Sequence, residues 1–222
     1  MKRKIIVTSD GSHSLEVEDW GETYHSIHGA IQESKHVYIE QGLMRFIKQE
    51  EVKVLEFGLG TGLNAFLTMA TLVPLQKKVV YHAIEAFPLT KEEYSVLTFP
   101  SLLPEFQEGQ SLFSALHEAI WDVELALHTQ VTVQKIHATF EDVAVKTNYF
   151  DLVYFDVFGY QYQPHLWTVE IFQKAYDSLK EGGMLVTYAC RSVIKKNMIA
   201  AGFTLEIVAG PPGKREMTLA HK

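Results

Sequence analysis

Cysteine is nearly missing. Cys190 is the only one in 222 residues, which excludes an internal disulfide and, with no cysteine cluster, a zinc finger. Lying in an apolar segment, it reads as a small core residue. No apolar run approaches the length of a membrane span, and the opening MKRKIIVTSD lacks the apolar stretch of a signal peptide; the expected setting is cytoplasmic, with no membrane partner. Internal repeats, low-complexity tracts and linker-like stretches are missing too. The length suits one domain over 1–222, an extension over 1–48 followed by a core over 49–222. Positive charge is not in excess: a formal net charge of −7 argues against general adhesion to nucleic acid, while leaving room for a local basic face. His25, His28 and His36 have no acidic or cysteine partner that completes a ligand pattern, so no metal is expected.

What is present is organised around VLEFGLGTGLNAF, 54–66. An apolar run leads to Glu56, glycines fall at Gly58, Gly60 and Gly62, and helical apolar spacing starts at Leu63: a strand, a tight turn and a helix. Glycine serves where φ must be positive or where backbone must lie against a ligand, and the following helix turns unpaired N–H groups to the same spot. A dinucleotide fingerprint requires a third glycine at position 63, which is Leu. The spacing G-x-G-x-G is instead the form associated with S-adenosylmethionine. Glu85, ending the run VVYHAIE, is placed to accept both ribose hydroxyls of an adenosine. The plain alternative is a turn that only packs a helix on a sheet, with Glu85 solvated.

Along the chain, KIIV and SLEVE alternate around Asp10-Gly11 as a hairpin within residues 1–20. The stretch 24–47 has helical spacing in its second part, interrupted by Gly42. Tyr24, His25 and Ser26 are candidates to lie over a ligand pocket, supported by Glu33 and Ser34, or else simply form a polar helix start. PLTKEEYSVLTF reads as a helix opened by Pro88, and SLFSALHEAIWDVEL as another. QVTVQKI is a strand. Asp142 beyond it is placed either to accept the adenine amino group or to cap a helix. YFDLVYFDVF is a strand buried on both faces that ends in Asp156. TVEIFQKAYDSLKEGG reads as a helix stopped by Gly182 and Gly183, then strand MLVTYAC, a basic helix RSVIKKNMIAAG, and a hairpin of FTLEIVAG and REMTLA around Pro-Pro-Gly. Alternating strands and helices predict an α/β fold, a doubly wound parallel sheet with an antiparallel end.

Ligands of such sheets sit beyond the carboxyl ends of the strands, where Glu56, Glu85, Asp142 and Asp156 gather. The loop after Asp156 carries Phe158, Tyr160, Tyr162, His165 and Trp167. Aromatics beside a carboxylate suit a planar base bearing an amine. Asp156 is the candidate to orient such an amine and receive its proton, the plain alternative being an aspartate that caps the next turn.

These residues carry a resemblance. YHSIHGAIQES, FGLGTGLN, IEAFPL, the pattern D-x-F-x-x-x-x-x-P-x-x-W from Asp156 to Trp167, GGMLVTY and PPGKREM are similar to the bacterial tRNA 5-methylaminomethyl-2-thiouridine methyltransferase family, over nearly the whole chain from Tyr24. The resemblance implies a Rossmann-like class I methyltransferase sheet and S-adenosylmethionine-dependent N-methylation of the aminomethyl group on the wobble uridine of tRNA. It also implies a separate FAD-dependent oxidoreductase that supplies the aminomethyl intermediate. Glu56, Gly58, Gly60, Gly62, Asn64 and Glu85 would then hold the cofactor, joined by Tyr24 and Asp142. Asp156 would face the amine. Phe158, Tyr160 and Trp167 are assigned to the base, and Arg191, Lys195, Lys196, Lys214 and Arg215 to tRNA phosphates. Gly159, Tyr160 and His165 depart from the family pattern, which points to a pocket of different shape and charge. The competing readings are a methyltransferase of a small amine, which needs no basic face, a non-catalytic binding module on the same fold, and, weakest, a nicotinamide oxidoreductase.

Overall fold

A computed structural model describes residues 2–222; Met1, part of the expected hairpin stretch, lies outside the described residues. The hairpin forms as expected: β1 (Arg3–Val7) pairs antiparallel with β2 (His13–Val17), and the short β3 (Glu22–Thr23) completes a small sheet. The interrupted helix expected next is resolved into three short pieces. These are α1 (Ala30–Ser34), a wider π-type turn over Lys35–Glu40 that ends with Gln41 N–H bonding the His36 carbonyl, and a 3₁₀ turn over Leu43–Phe46. Gly42 breaks the run, and no Cβ fits there because the Tyr38 carbonyl oxygen would lie 2.5 Å away.

The main sheet has eight strands: β4 (Glu51–Phe57), β5 (Lys78–Glu85), β6 (Glu124–His128), β7 (Val131–His137), β8 (Phe150–Phe155), β9 (Leu179–Thr187), β10 (Thr204–Ala209) and β11 (Glu216–His221). Their order is β10-β11-β9-β8-β4-β5-β7-β6, with β9, β8, β4, β5 and β7 parallel. Helices α2 (Leu63–Leu72) and α4 (Gly109–Glu118) pack with α1 on one face, and α5 (Val169–Ser178) with α6 (Ser192–Ala200) on the other. Burial on both faces explains why β8 is an unbroken apolar run, with every residue buried. Winding reverses between β4 and β8, and at that switch point the strand ends open into a crevice.

Four boundaries differ from the sequence reading. The segment DVEL belongs not to a helix but to β6, because α4 stops at Glu118 and Asp122 takes a left-handed φ of 63°, starting an antiparallel edge strand. Both ends of the sheet are therefore antiparallel. Pro88 does not open a helix; α3 (Lys91–Tyr94) starts after Thr90, which accepts from Glu93 N–H while Glu93 accepts from Thr90 N–H. Helix α5 ends at Ser178, short of Gly182 and Gly183, which lie inside β9 where its register with β8 shifts. Asp142 caps no helix: its carboxylate accepts from Thr139 Oγ1 at 2.8 Å and its N–H donates back to that oxygen.

Candidate functional site

Beyond β4 the chain turns through three glycines, all at positive φ. At Gly58 (φ 91°) a Cβ would lie 2.3 Å from the Asp156 carbonyl oxygen, so only glycine lets the β4 and β8 ends approach so closely. At Gly60 (φ 52°) a Cβ would press on the Tyr24 ring. Gly62 precedes α2. Glu85 ties this turn to the end of β5: one carboxylate oxygen accepts from Gly60 N–H at 2.9 Å and the other from Phe87 N–H at 2.8 Å.

A cavity of about 800 Å³ opens over the turn, within the range of roughly 300–1,000 Å³ typical of ligand pockets. The structure brings Tyr24, Gly58, Gly60, Glu85, Asp142, Asp156, Phe158 and Lys214 to its walls. The N-terminal extension forms one wall, with Tyr24 edge-on to Phe158 at 4.9 Å between ring centres and the Arg3 guanidinium 5.9 Å from the Tyr24 ring centre. Arg3 also pairs with Glu93 at 2.9 Å, tying the hairpin to the core beside Glu85. His25 is buried and its Nε2 lies 2.7 Å from Thr61 Oγ1; burial lowers its pKa to about 4, so the ring is neutral near pH 7.

Other assigned residues lie elsewhere. Glu56 is fully buried and does not line the cavity; Asn64 Nδ2 donates to its Oε1 at 2.9 Å and the Tyr81 hydroxyl to its Oε2 at 2.8 Å. Asn64, in the first turn of α2, also donates to Asp156 Oδ2 at 2.8 Å, so one amide bridges two carboxyl groups. Gly62 packs against His117. Trp167 is a buried core residue whose indole N–H donates to the Phe158 carbonyl at 3.0 Å, bracing the aromatic loop. Tyr160, Arg191 and Arg215, with an edge of Trp167, line a second cavity of about 530 Å³, which shares Glu22, Tyr188 and Lys214 with the first. The Lys195 and Lys196 side chains line neither.

Sequence reasoning missed Tyr188, which lines both cavities and whose hydroxyl donates to the Val157 carbonyl at 2.8 Å. It also missed the pairing of Lys214 with Glu33 at 2.6 Å, with the Lys214 ammonium 3.8 Å from the centre of the Tyr188 ring. No signal in the sequence links residues so far apart. Burial pushes the Asp156 carboxyl up to about 6, opposed by the nearby Tyr38 hydroxyl and the hydrogen bond from Asn64; Glu33 raises it further and Lys214 lowers it. The Tyr38 hydroxyl itself meets no partner at standard hydrogen-bond geometry. Among the described residues no group of three or more His, Cys, Asp or Glu side chains converges as a metal site, and no helix is long and apolar enough to cross a membrane.

A doubly wound sheet with a glycine turn at its switch point, a carboxylate ending the next strand and a cavity above both defines a nucleotide-cofactor-binding α/β protein. The chain belongs to the S-adenosyl-L-methionine-dependent methyltransferase family whose profile matches residues 105–222. The glycine turn lies outside that match and supports it independently. The bifunctional protein MnmC of Methylibium petroleiphilum, named for tRNA 5-methylaminomethyl-2-thiouridine biosynthesis, is 29% identical over 91% of this chain and 32% of its own length. Its Campylobacter fetus counterpart is 25% identical over 96% of the chain and 34% of its length. The chain thus spans about a third of the curated relatives it matches. Among solved structures, MNMC2 from Aquifex aeolicus superposes with a TM-score of 0.83 at 22% identity, covering 99% of this chain and 70% of that one. Spermidine synthase from Thermotoga maritima gives 0.59 at 17%, covering 98% and 68%. Both show the fold alone.

The cavity fits the cofactor this family uses. Gly58 and Gly60 keep Cβ atoms out of the crevice. Each Glu85 oxygen already accepts one backbone N–H and retains a lone pair for a ribose hydroxyl. Phe87, Phe140 and Asp142 line the same cavity as Glu85 and offer a purine ring and its amino group apolar faces and an acceptor.

Proposed function

We propose that this chain methylates the amino nitrogen of 5-aminomethyl-(2-thio)uridine at the tRNA wobble position, giving 5-methylaminomethyl-(2-thio)uridine. The observation that carries the reading is Asp156: it lines the cavity beside Gly58, with Oδ2 held by Asn64 and Phe158 two residues on. The relatives' name supplies the substrate class. When bound, S-adenosylmethionine supplies a methyl group on a sulfonium sulfur, which leaves as a neutral thioether.

The chain's own task is to present a neutral nitrogen. An aliphatic amine in water has a pKa near 10.4 and is protonated near pH 7. The cavity narrows the gap from both sides, since desolvation raises the acid, to about 6 for Asp156, and lowers the amine. Asp156 accepts the ammonium proton, leaving the nitrogen lone pair free to form the new N–C bond, and passes that proton to water when the cavity opens. Phe158 and Tyr24 offer aromatic faces for the base. Arg191 and Arg215, with Tyr160 in the second cavity, take nucleotides flanking the target. The aminomethyl group must be supplied by an earlier step, for which an FAD-dependent oxidoreductase is the proposed partner. Tyr24, Gly58, Gly60, Glu85 and Asp142 hold the cofactor.

The test is methyl transfer from labelled S-adenosylmethionine to tRNA from cells lacking the activity, read by nucleoside mass analysis. Label is expected in 5-methylaminomethyl-(2-thio)uridine with the wild type and not with Asp156→Ala. Methylation of small amines but not of tRNA would overturn the tRNA reading.

A further inference from the structure

Glu56 is the most deeply buried acid of the molecule, with no exposed surface and no place in either cavity. Its two oxygens meet only uncharged groups, the Asn64 amide and the Tyr81 hydroxyl. Among the described residues no lysine, arginine or histidine hydrogen-bonds to it or pairs with it. The charged and titratable groups around it are Asp156, Glu85 and Tyr81, all anionic when ionised, and the Tyr154 ring, itself near Glu56, lies 6.2 Å from that of Tyr81. A bare carboxylate in such a place is costly, and a second one joined to it through a single amide costs more. Asn64 can give one hydrogen to each carboxyl group, but it carries no charge to offset two anions.

We propose that Glu56 is a positioning residue that carries its proton at neutral pH and, through the Asn64 amide, fixes the Asp156 carboxylate towards the cavity. The inference rests on the reading of Asp156 as the group that meets the substrate amine. A carboxylic acid still accepts hydrogen bonds through both oxygens, so a proton on Glu56 leaves the bonds from Asn64 and Tyr81 possible. With Glu56 neutral, only one of the two carboxyl groups joined by the amide, Asp156, is charged where the ammonium arrives, and Asn64 uses its second hydrogen to pin Oδ2. Burial raises the Glu56 pKa well above its usual value, in line with this arrangement. Desolvated acids kept neutral at pH 7 are known elsewhere as hydrogen-bonding elements of active sites. Its place in the motif made Glu56 a candidate cofactor ligand; the structure gives it a role one layer behind the ligand.

The experiment is infrared difference spectroscopy of the full chain at pH 8, wild type against Glu56→Gln. A protonated-carboxyl C=O band in the wild type that is lost in the variant is the expected result. Absence of that band in the wild type, or its persistence in Glu56→Gln, overturns the proposal. A companion variant reads the positioning. Asn64→Leu is expected to lower kcat by more than tenfold and to raise the pH midpoint of the rate, since Asn64 holds the Asp156 carboxyl down, while the affinity for S-adenosylmethionine stays within threefold. Equal losses in cofactor affinity and rate would make Asn64 and Glu56 part of the cofactor site instead and overturn the positioning role. The infrared band does not depend on turnover, so a wild type that methylates no tRNA would sink the functional reading separately.

Discussion

In the proposed reaction Asp156 must lose its own proton before it can take one from the substrate. With its pKa raised to about 6, kcat/KM is expected to fall as pH drops below that value and to level off above it until other groups titrate. Asp156→Asn should remove this limb and cost about 10²–10⁴-fold in rate. The neighbours set the midpoint with opposite signs. Lys214 lowers the Asp156 pKa and Glu33 raises it, so Lys214→Ala should move the midpoint upwards and Glu33→Gln downwards, as read from pH–rate profiles of the two variants. Shifts in the same direction for both would mean that the pair acts through structure rather than charge. His25 adds a stability term. Its folded pKa of about 4 lies below the ordinary value of 6.5, so the unfolded chain binds the extra proton between those limits. The stability from a neutral, buried His25 is complete above pH 6.5 and is lost as pH falls towards 4, up to about 3 kcal/mol. Urea midpoints measured across that range, in wild type and His25→Gln, would show a flatter dependence for the variant.

At the scale of elements, the strand, glycine turn and helix around Gly58 were legible because each glycine has a job no other residue can do there. Gly58→Ala brings a Cβ to 2.3 Å from a carbonyl oxygen at φ 91° and should disturb both the fold and cofactor affinity. Gly182→Ala, at φ 76° with open space around it, carries only the conformational penalty of about 1 kcal/mol. Calorimetric binding of S-adenosylmethionine by the two variants tests the contrast: a Gly58→Ala protein that binds like the wild type would contradict the cradle. The burial of β8 was equally legible from its unbroken apolar run. Strand β6 was not, because HEAIWDVEL keeps helical spacing and the break depends on Asp122, whose N–H and carboxylate bond the neighbouring β7. Pro88 misled for a local reason: a better start, Thr90 with Glu93, lay two residues further on. The pairing of Glu33 with Lys214 left no trace in the sequence, because nothing local to either residue depends on it.

For the whole molecule, the proposed function requires a net charge of −7 to coexist with a polyanionic substrate. Arg191, Lys214 and Arg215 at the second cavity supply the opposing sign and outnumber Glu22 and Glu216 there. Affinity for tRNA should weaken steeply with salt, while affinity for the cofactor should barely change. Arg191→Glu with Arg215→Glu should flatten the salt dependence and raise KM for tRNA; unchanged KM would place the RNA on another face. The wall of the cavity also records the order in which the chain is made. Glu33, Ser26 and Tyr24 leave the ribosome before Lys214, the partner of Glu33, which comes 181 positions later, and His36 bonds the Ala209 carbonyl only once β10 exists. A nascent chain therefore holds an unfinished roof while those 181 positions are made. The cavity gains its full wall only when the hairpin of β10 and β11 has folded back against the extension.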